Sequence, residues 1–145
     1  MPNISDNTLH QLDALNNWLG AVYGEGTAFG TLLLDAGFSE AEIEQIKRQH
    51  LSEFLQAVID LMAGYTDLSN EWRNRLMVQH YGLIDGKPVA LHAIGDSVGV
   101  NEHRIRQLVK KRLDLYRDPK RQAKFQYDFA AIGRRLLDNE SSSQG

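Results

Sequence analysis

Apolar residues recur at three- and four-residue intervals along nearly the whole chain, and the breaks in that rhythm divide it into helices. Leu9, Leu12, Leu15, Leu19 and Val22 form the first stripe, opened by the capping residues Ser5 to Thr8 and broken at Gly24. Thr27 is placed to cap a short second helix through Leu34 or Asp35, which Gly37 ends. Ser39-Glu40-Ala41-Glu42 has the form of a capping box. Behind it, Ile43, Ile46, Phe54, Leu55, Val58 and Met62 predict one helix from Glu40 to Ala63, stopped by Gly64. Its ~24 residues would span about 36 Å, long enough to connect two modules or to pair with a second copy of itself, the alternative being that its stripe packs on the first two helices.

The pattern resumes at Ser69, read as the cap of a helix through His80 that carries Trp72, Leu76 and Met77 inward. A loop with two glycines and a proline, Tyr81 to Pro88, separates it from the stretch Val89–Arg117. There two short helical patterns meet at Gly99, a residue suited to the left-handed backbone between closely spaced helices. Asn101 is placed to cap the second of them. Leu91, Ile94, Val98 and Val100 lie on one side, and Ile105, Leu108, Val109 and Leu113 continue the stripe. Gly95 and Gly99 are small where the two helices must approach. The unit reads as helix-turn-helix. After Asp118-Pro119, a cap followed by proline at the first helical position, Phe125, Phe129, Ile132 and Leu136 stripe a helix to about Asp138. The Ser-rich residues Asn139 to Gly145 read as a disordered tail. With no convincing strand, the expected class is all-α, a helical bundle with a C-terminal helix-turn-helix.

Charge changes this picture more than composition does. Residues 1–66 hold 2 Lys+Arg against 9 Asp+Glu, whereas residues 67–137 hold 14 against 8, so a net charge of −3 hides an acidic half joined to a basic half. The basic residues concentrate on the outward face of the second helix of the helix-turn-helix, where Asn101, Glu102, His103, Arg104, Arg106, Gln107, Lys110 and Lys111 form a donor-rich surface. Such a face fits the major groove of double-stranded DNA, where Arg and Gln read base edges and Lys neutralises phosphates.

Other chemistries find little footing. Without cysteine there is no disulfide framework, thiolate nucleophile or cysteine-ligated metal, and the five histidines lack metal spacing, so no metal and no cofactor are expected. Gly24 to Gly30 is glycine-rich but follows a helix, not a strand, and reads as a helix–helix turn. Glu40, Glu42 and Glu44 read as a solvated first turn, and Trp18 and Trp72 as core. The chain is not expected to be an enzyme. No apolar run approaches the ~20 residues of a membrane span, and the N-terminus lacks a signal-peptide pattern, so the reading is a soluble cytoplasmic, nucleoid-associated protein.

The arrangement resembles one known family. Arg73 to Leu83, the Asp-Gly-Lys-Pro loop, Leu91-His92-Ala93-Ile94-Gly95, Val98-Gly99-Val100, Arg104-Ile105-Arg106-Gln107 and Leu113 to Pro119 resemble region 4 of bacterial sigma-70-type factors, over Leu68 to Pro119. The resemblance implies a bacterial or phage transcription protein whose second helix faces a promoter −35-like element and whose region-4 hollow docks on the β-flap of RNA polymerase. Arg104, Arg106 and Gln107 match positions that the family uses on DNA, and Leu76, Met77, Tyr81 and Leu83 are the implied polymerase-docking residues. Where the family has Arg-Glu, this chain has Glu102-His103; His80 and Ala90 replace its usual Arg and Thr, which implies a different target sequence or weaker DNA contact. Residues 1–66 show no aromatic-basic segment of the kind that a promoter-opening region 2 carries.

The expected organisation is therefore an acidic helical domain at 1–66, serving dimerisation or partner binding, then a region-4-like unit at 67–119, a basic helix at 120–138 and a tail at 139–145. The expected function is a stand-alone transcription regulator that binds DNA, RNA polymerase or both. The alternative is an adaptor or anti-sigma-like decoy that keeps the fold for its polymerase surface alone.

Overall fold

The computed structural model describes residues 5–65, 68 and 72–144, with side chains through residue 139. Among these residues there are eight helices and no strand: α1 Asp6–Tyr23, α2 Phe29–Asp35, α3 Glu40–Gln49, α4 Leu51–Tyr65, α5 Trp72–Tyr81, α6 Leu91–Val98, α7 Glu102–Arg117 and α8 Pro119–Gln144. The fold is all-α, as the periodicity predicts.

Local chemistry sets most of the boundaries. Ser5 Oγ accepts from the Thr8 amide at 3.1 Å and opens α1. The capping box at α3 is complete: Ser39 Oγ accepts from the Glu42 amide at 3.1 Å, and Glu42 Oε1 accepts from the Ser39 amide at 2.9 Å. Glu42 also receives the Arg134 guanidinium of α8 at 2.6 Å. The hydrogen bond from the Ser39 amide holds its carboxyl below the usual range against the opposing effect of burial, with Arg134 adding to the lowering. Thr27 does not cap α2. The residue before that helix is Ala28, and the Phe29 amide is satisfied by Asn16 Oδ1 of α1 at 2.9 Å, a cap lent by another helix. The expected cap Ser69 lies outside the described residues.

The expected helix from Glu40 to Ala63 is two helices, broken at His50, and the second passes through Gly64 to Tyr65. Ile46, His50, Phe54, Val58 and Met62 keep a four-residue spacing through the break, so the apolar pattern is blind to it. The bend serves packing. Ile46 lies beside Phe38 and Gly133, while Phe54 turns between Phe29 and Phe129, with ring centroids 5.5 and 4.8 Å away. The face expected to seek a second copy is thus filled from within the chain: Ile46, Phe54 and Met62 are fully buried.

α8 closes the bundle, running along α3 and α4 and meeting α7 at its start. Pro119 is its first residue, as expected, but the helix continues to Gln144 and includes most of the residues read as a disordered tail; no glycine or proline between Asp138 and Gln144 stops it.

Buried residues of the acidic and basic halves form one core. α1 is its centre, packed on α2, α4, α5 and α7. Trp18, wholly buried, stands edge-on to Tyr116 of α7 (5.0 Å) and Phe125 of α8 (5.2 Å), and its indole N–H points at Met77 Sδ of α5 (3.1 Å). Polar ties fix the same helix at both ends. Gln11 donates to the Ile84 carbonyl at 2.5 Å, Arg117 to the Ala21 carbonyl at 2.9 Å, and Tyr23 to the Gln122 carbonyl at 2.7 Å. Burial pushes the Tyr116 hydroxyl up to about 12.

Three expected core positions are not core. Leu9, Trp72 and Val98 are exposed, each at or near an end of its helix, and the Arg73 guanidinium lies 5.4 Å over the Trp72 ring.

Candidate nucleic-acid interface

α6 and α7 are joined by Gly99, Val100 and Asn101. Gly99 adopts the left-handed conformation (φ 71°, ψ 31°) and ends α6 with its N–H on the Gly95 carbonyl. Asn101 Oδ1 accepts from the Arg104 amide at 2.8 Å and starts α7. Leu91, Val100 and Leu108 are half-buried, while Ile94, Ile105, Val109 and Leu113 are buried. This leaves the opposite face of α7 outward. Arg112, on neither face as the sequence was read, turns toward α5, where it donates to Asn74 Oδ1 at 2.6 Å.

All eight residues of the expected DNA face are exposed. They are not independent. Arg106 pairs with Glu102 at 3.1 Å, Arg104 reaches Gln107 Oε1 at 3.5 Å, and Gln107 Nε2 lies 3.2 Å from His103 Nε2. Lys110 pairs with Asp114 at 3.2 Å, as does Arg117 at 3.1 Å. Hydrogen bonds from Lys110 and then Arg117 hold the Asp114 carboxyl below the usual range. These i,i+3 and i,i+4 pairs comb the long side chains along the helix at little energetic cost. Exposed helical pairs are worth roughly 0.3–0.5 kcal/mol, against about 1–3 kcal/mol for a good bidentate base contact, so a duplex would outcompete them. Four cations against the single acid Glu102 leave the patch positive. Asn101 differs from the rest, because its carbonyl oxygen is committed to the cap and its effect on any ligand is first to position α7.

The implied polymerase-docking residues fare differently. Leu76, Met77 and Leu83 are 0, 3 and 3% exposed, and only Tyr81 reaches the surface, half-buried. α1 covers this side of α5: Trp18 sits on Met77, and Gly86 of the following loop presses so closely on His10 and Asn7 that a side chain there would strike them. In the folded chain Leu76, Met77 and Leu83 are part of the buried core. His80, standing where the resemblance has a phosphate-binding Arg, is half-buried with Nδ1 2.9 Å from the Val89 carbonyl.

Among the described residues no three His, Asp or Glu side chains converge on a point that would hold a metal ion, and no helix is long and apolar enough to cross a membrane.

No family model matches the chain, and no solved structure matches it. Over 95 residues, 66% of the chain, it is 32% identical to the RNA polymerase sigma-C factor of Nostoc sp. (strain PCC 7120), of which it covers 21%. The chain thus spans about a fifth of the length of that curated relative, and part of it is sigma-factor-like. A stretch of that length takes in residues 51–95 of a 145-residue chain wherever it begins, so the similarity includes α4 and α5.

Proposed function

We propose that this protein is a sigma-factor-like transcription regulator that binds double-stranded DNA through the N-terminal half of α7, with α6 and the Gly99 turn setting the angle at which α7 is presented. The observation that carries the reading is the exposed, net-positive face from Glu102 to Lys111 at the start of a helix fixed by Asn101 and backed by buried Ile105 and Val109. The partial similarity to a sigma-C factor supports a transcriptional role. The role is binding, with no catalytic step assigned, and it places the protein beside DNA in the cytoplasm. A promoter-like duplex is the proposed target. Glu102, an acceptor among donors, biases recognition toward a site with a cytosine N4 amine opposite it.

RNA polymerase is the second proposed partner, favoured by the sigma-like similarity across α5. Because α1 occupies the apolar side of α5, any such contact uses Tyr81 and neighbouring polar residues and not Leu76, Met77 or Leu83. An adaptor that binds polymerase alone is the outcome if α7 proves silent toward DNA.

The test is a salt titration of duplex affinity. The wild-type protein should show log affinity falling linearly with log salt, at about 0.9 per phosphate contact. Arg104→Ala/Arg106→Ala should weaken binding by roughly tenfold or more and reduce that slope by about 1–2, since two cationic contacts are gone. Unchanged affinity and slope in the double variant would remove α7 from the interface.

A further inference from the structure

α8 carries two apolar stripes on opposite sides. Phe125, Phe129, Ile132 and Leu136 face the core and are buried. Ala123, Tyr127 and Ala131, displaced by about half a turn, are exposed, with Ala130 half-buried beside them, and Tyr127 is 74% exposed, more than any other large apolar residue among the described residues. Beside this outer stripe runs a groove of about 900 Å³ between α8 and the end of α2, floored by Ala36, Phe38, Ala130 and Ala131. A helix apolar on two sides is ordinarily covered on two sides. Here one cover is missing.

We propose that a second copy of this chain supplies it, through an antiparallel α8–α8 contact crossing at Ala130 and Ala131. The argument is self-complementarity, which a two-fold interface demands of a single patch. The patch holds both a projecting ring, Tyr127, and a shallow apolar groove floored by small residues that would admit it. It also holds both signs of charge. Arg135, Asp35 and Asp138 line the groove, are exposed, and have no ion pair within the described chain. The mixture suits neither a phosphate backbone nor a partner of one sign, but it satisfies itself when turned over. Direction follows from charge as well. Lys120, Arg121 and Lys124 occupy the first turns of α8, whereas Arg134, Arg135 and Asp138 mix both signs toward its far end, so parallel helices set base against base while antiparallel ones set the basic start beside the mixed end. In this register Tyr127 meets Arg134 of the other copy, whose guanidinium already lies 3.8 Å over Phe38 in its own chain. The strip from Ala123 to Asn139 is only about 25 Å long, which limits the dimer to modest affinity, micromolar by comparison with standard-sized interfaces. The surface is distinct from the α3–α4 face that the sequence suggested for dimerisation, which is buried.

Sedimentation equilibrium of the full chain tests the proposal independently of DNA. At high micromolar concentration the wild type should approach twice its 16.4 kDa mass. Tyr127→Glu, at a position too exposed to disturb the core, should remain monomeric with unchanged helical circular dichroism. Since the chain has no cysteine, Ala131→Cys introduces a single thiol at the proposed crossing, and mild oxidation should link it into a covalent dimer. Asp13→Cys, on an exposed position of α1, should not link. A wild type that stays monomeric, a dimer that survives Tyr127→Glu, or a dimer in which Ala131→Cys fails to cross-link would each overturn the proposal.

Discussion

Replacing Trp18 by alanine should lower the unfolding free energy by about 3–5 kcal/mol, the usual cost of emptying a fully buried aromatic site. The expected loss is at the high end for this chain because the ring lies where four helices converge. It stands edge-on to Tyr116 and Phe125 and directs its N–H at the Met77 sulfur, so α1, α5, α7 and α8 all lose a partner together. Small domains have only about 5–15 kcal/mol in total, so the variant would unfold at a much lower urea concentration. The slope of the transition should not change, because the same surface is exposed on unfolding. Trp18→Phe keeps most of the ring contacts and should cost well under half as much. Fluorescence supplies a convenient check, since the remaining Trp72 is 37% exposed and should emit to the red of the wild-type average. One cooperative melt is also expected for the wild type, since the acidic and basic halves share their core. A loss below about 1 kcal/mol in Trp18→Ala, where the typical cavity cost is several times that, would contradict the placement of α1.

The second large effect is expected at Gly95. A methyl group there would fall on the Val100 carbonyl oxygen, well inside contact distance, with Ile105 Cγ1 at 3.5 Å behind it. Val100 donates its own N–H to the Gly95 carbonyl at 3.0 Å, so the turn is pinned where the methyl must go. Gly95→Ala should therefore cost about 2–3 kcal/mol, as overpacking against rigid backbone does, and should tilt α6 away from α7. Gly99→Ala is the informative comparison. Nothing lies near a side chain at Gly99, whose φ of +71° is its only special demand, and the penalty there should be nearer 1 kcal/mol. Denaturant midpoints of the two variants measure the order directly. Equal losses would mean that backbone conformation, not the close approach at Gly95, governs the turn.

These two glycines show how far the sequence could be read. The sequence reads Gly99 as the left-handed residue of the α6–α7 junction, which it is, but it also groups Gly99 with Gly95 as small for close approach, a need that only Gly95 has. Signals written into adjacent residues came through: the Ser39 capping box, the Asn101 cap, Pro119 at the start of α8 and the outward basic face of α7. What failed to come through depends on residues far apart in the chain. The break at His50 leaves the four-residue apolar period intact, so only the positions of Phe29 and Phe129 reveal it. α2 takes its cap from Asn16 on another helix and not from Thr27. Periodicity turns Leu76 and Met77 inward without saying what they meet, and the resemblance added them, with Leu83 of the loop, to a docking surface. In the structure all three are buried, with Trp18 of α1 against Met77. The exposure of Trp72 has the same origin, since an apolar residue one turn before a buried stripe looks identical in sequence whether or not a neighbour reaches it.

The central claim, that α7 reads duplex DNA, is tested most directly by retaining a pool of random duplexes on the wild-type protein at two salt concentrations and sequencing what remains bound. The account predicts an enriched motif, with retention falling steeply between the two salts and lost in Arg104→Ala/Arg106→Ala. Retention without salt dependence, or no enrichment over the input pool at either salt, would contradict it and leave polymerase binding as the reading to pursue.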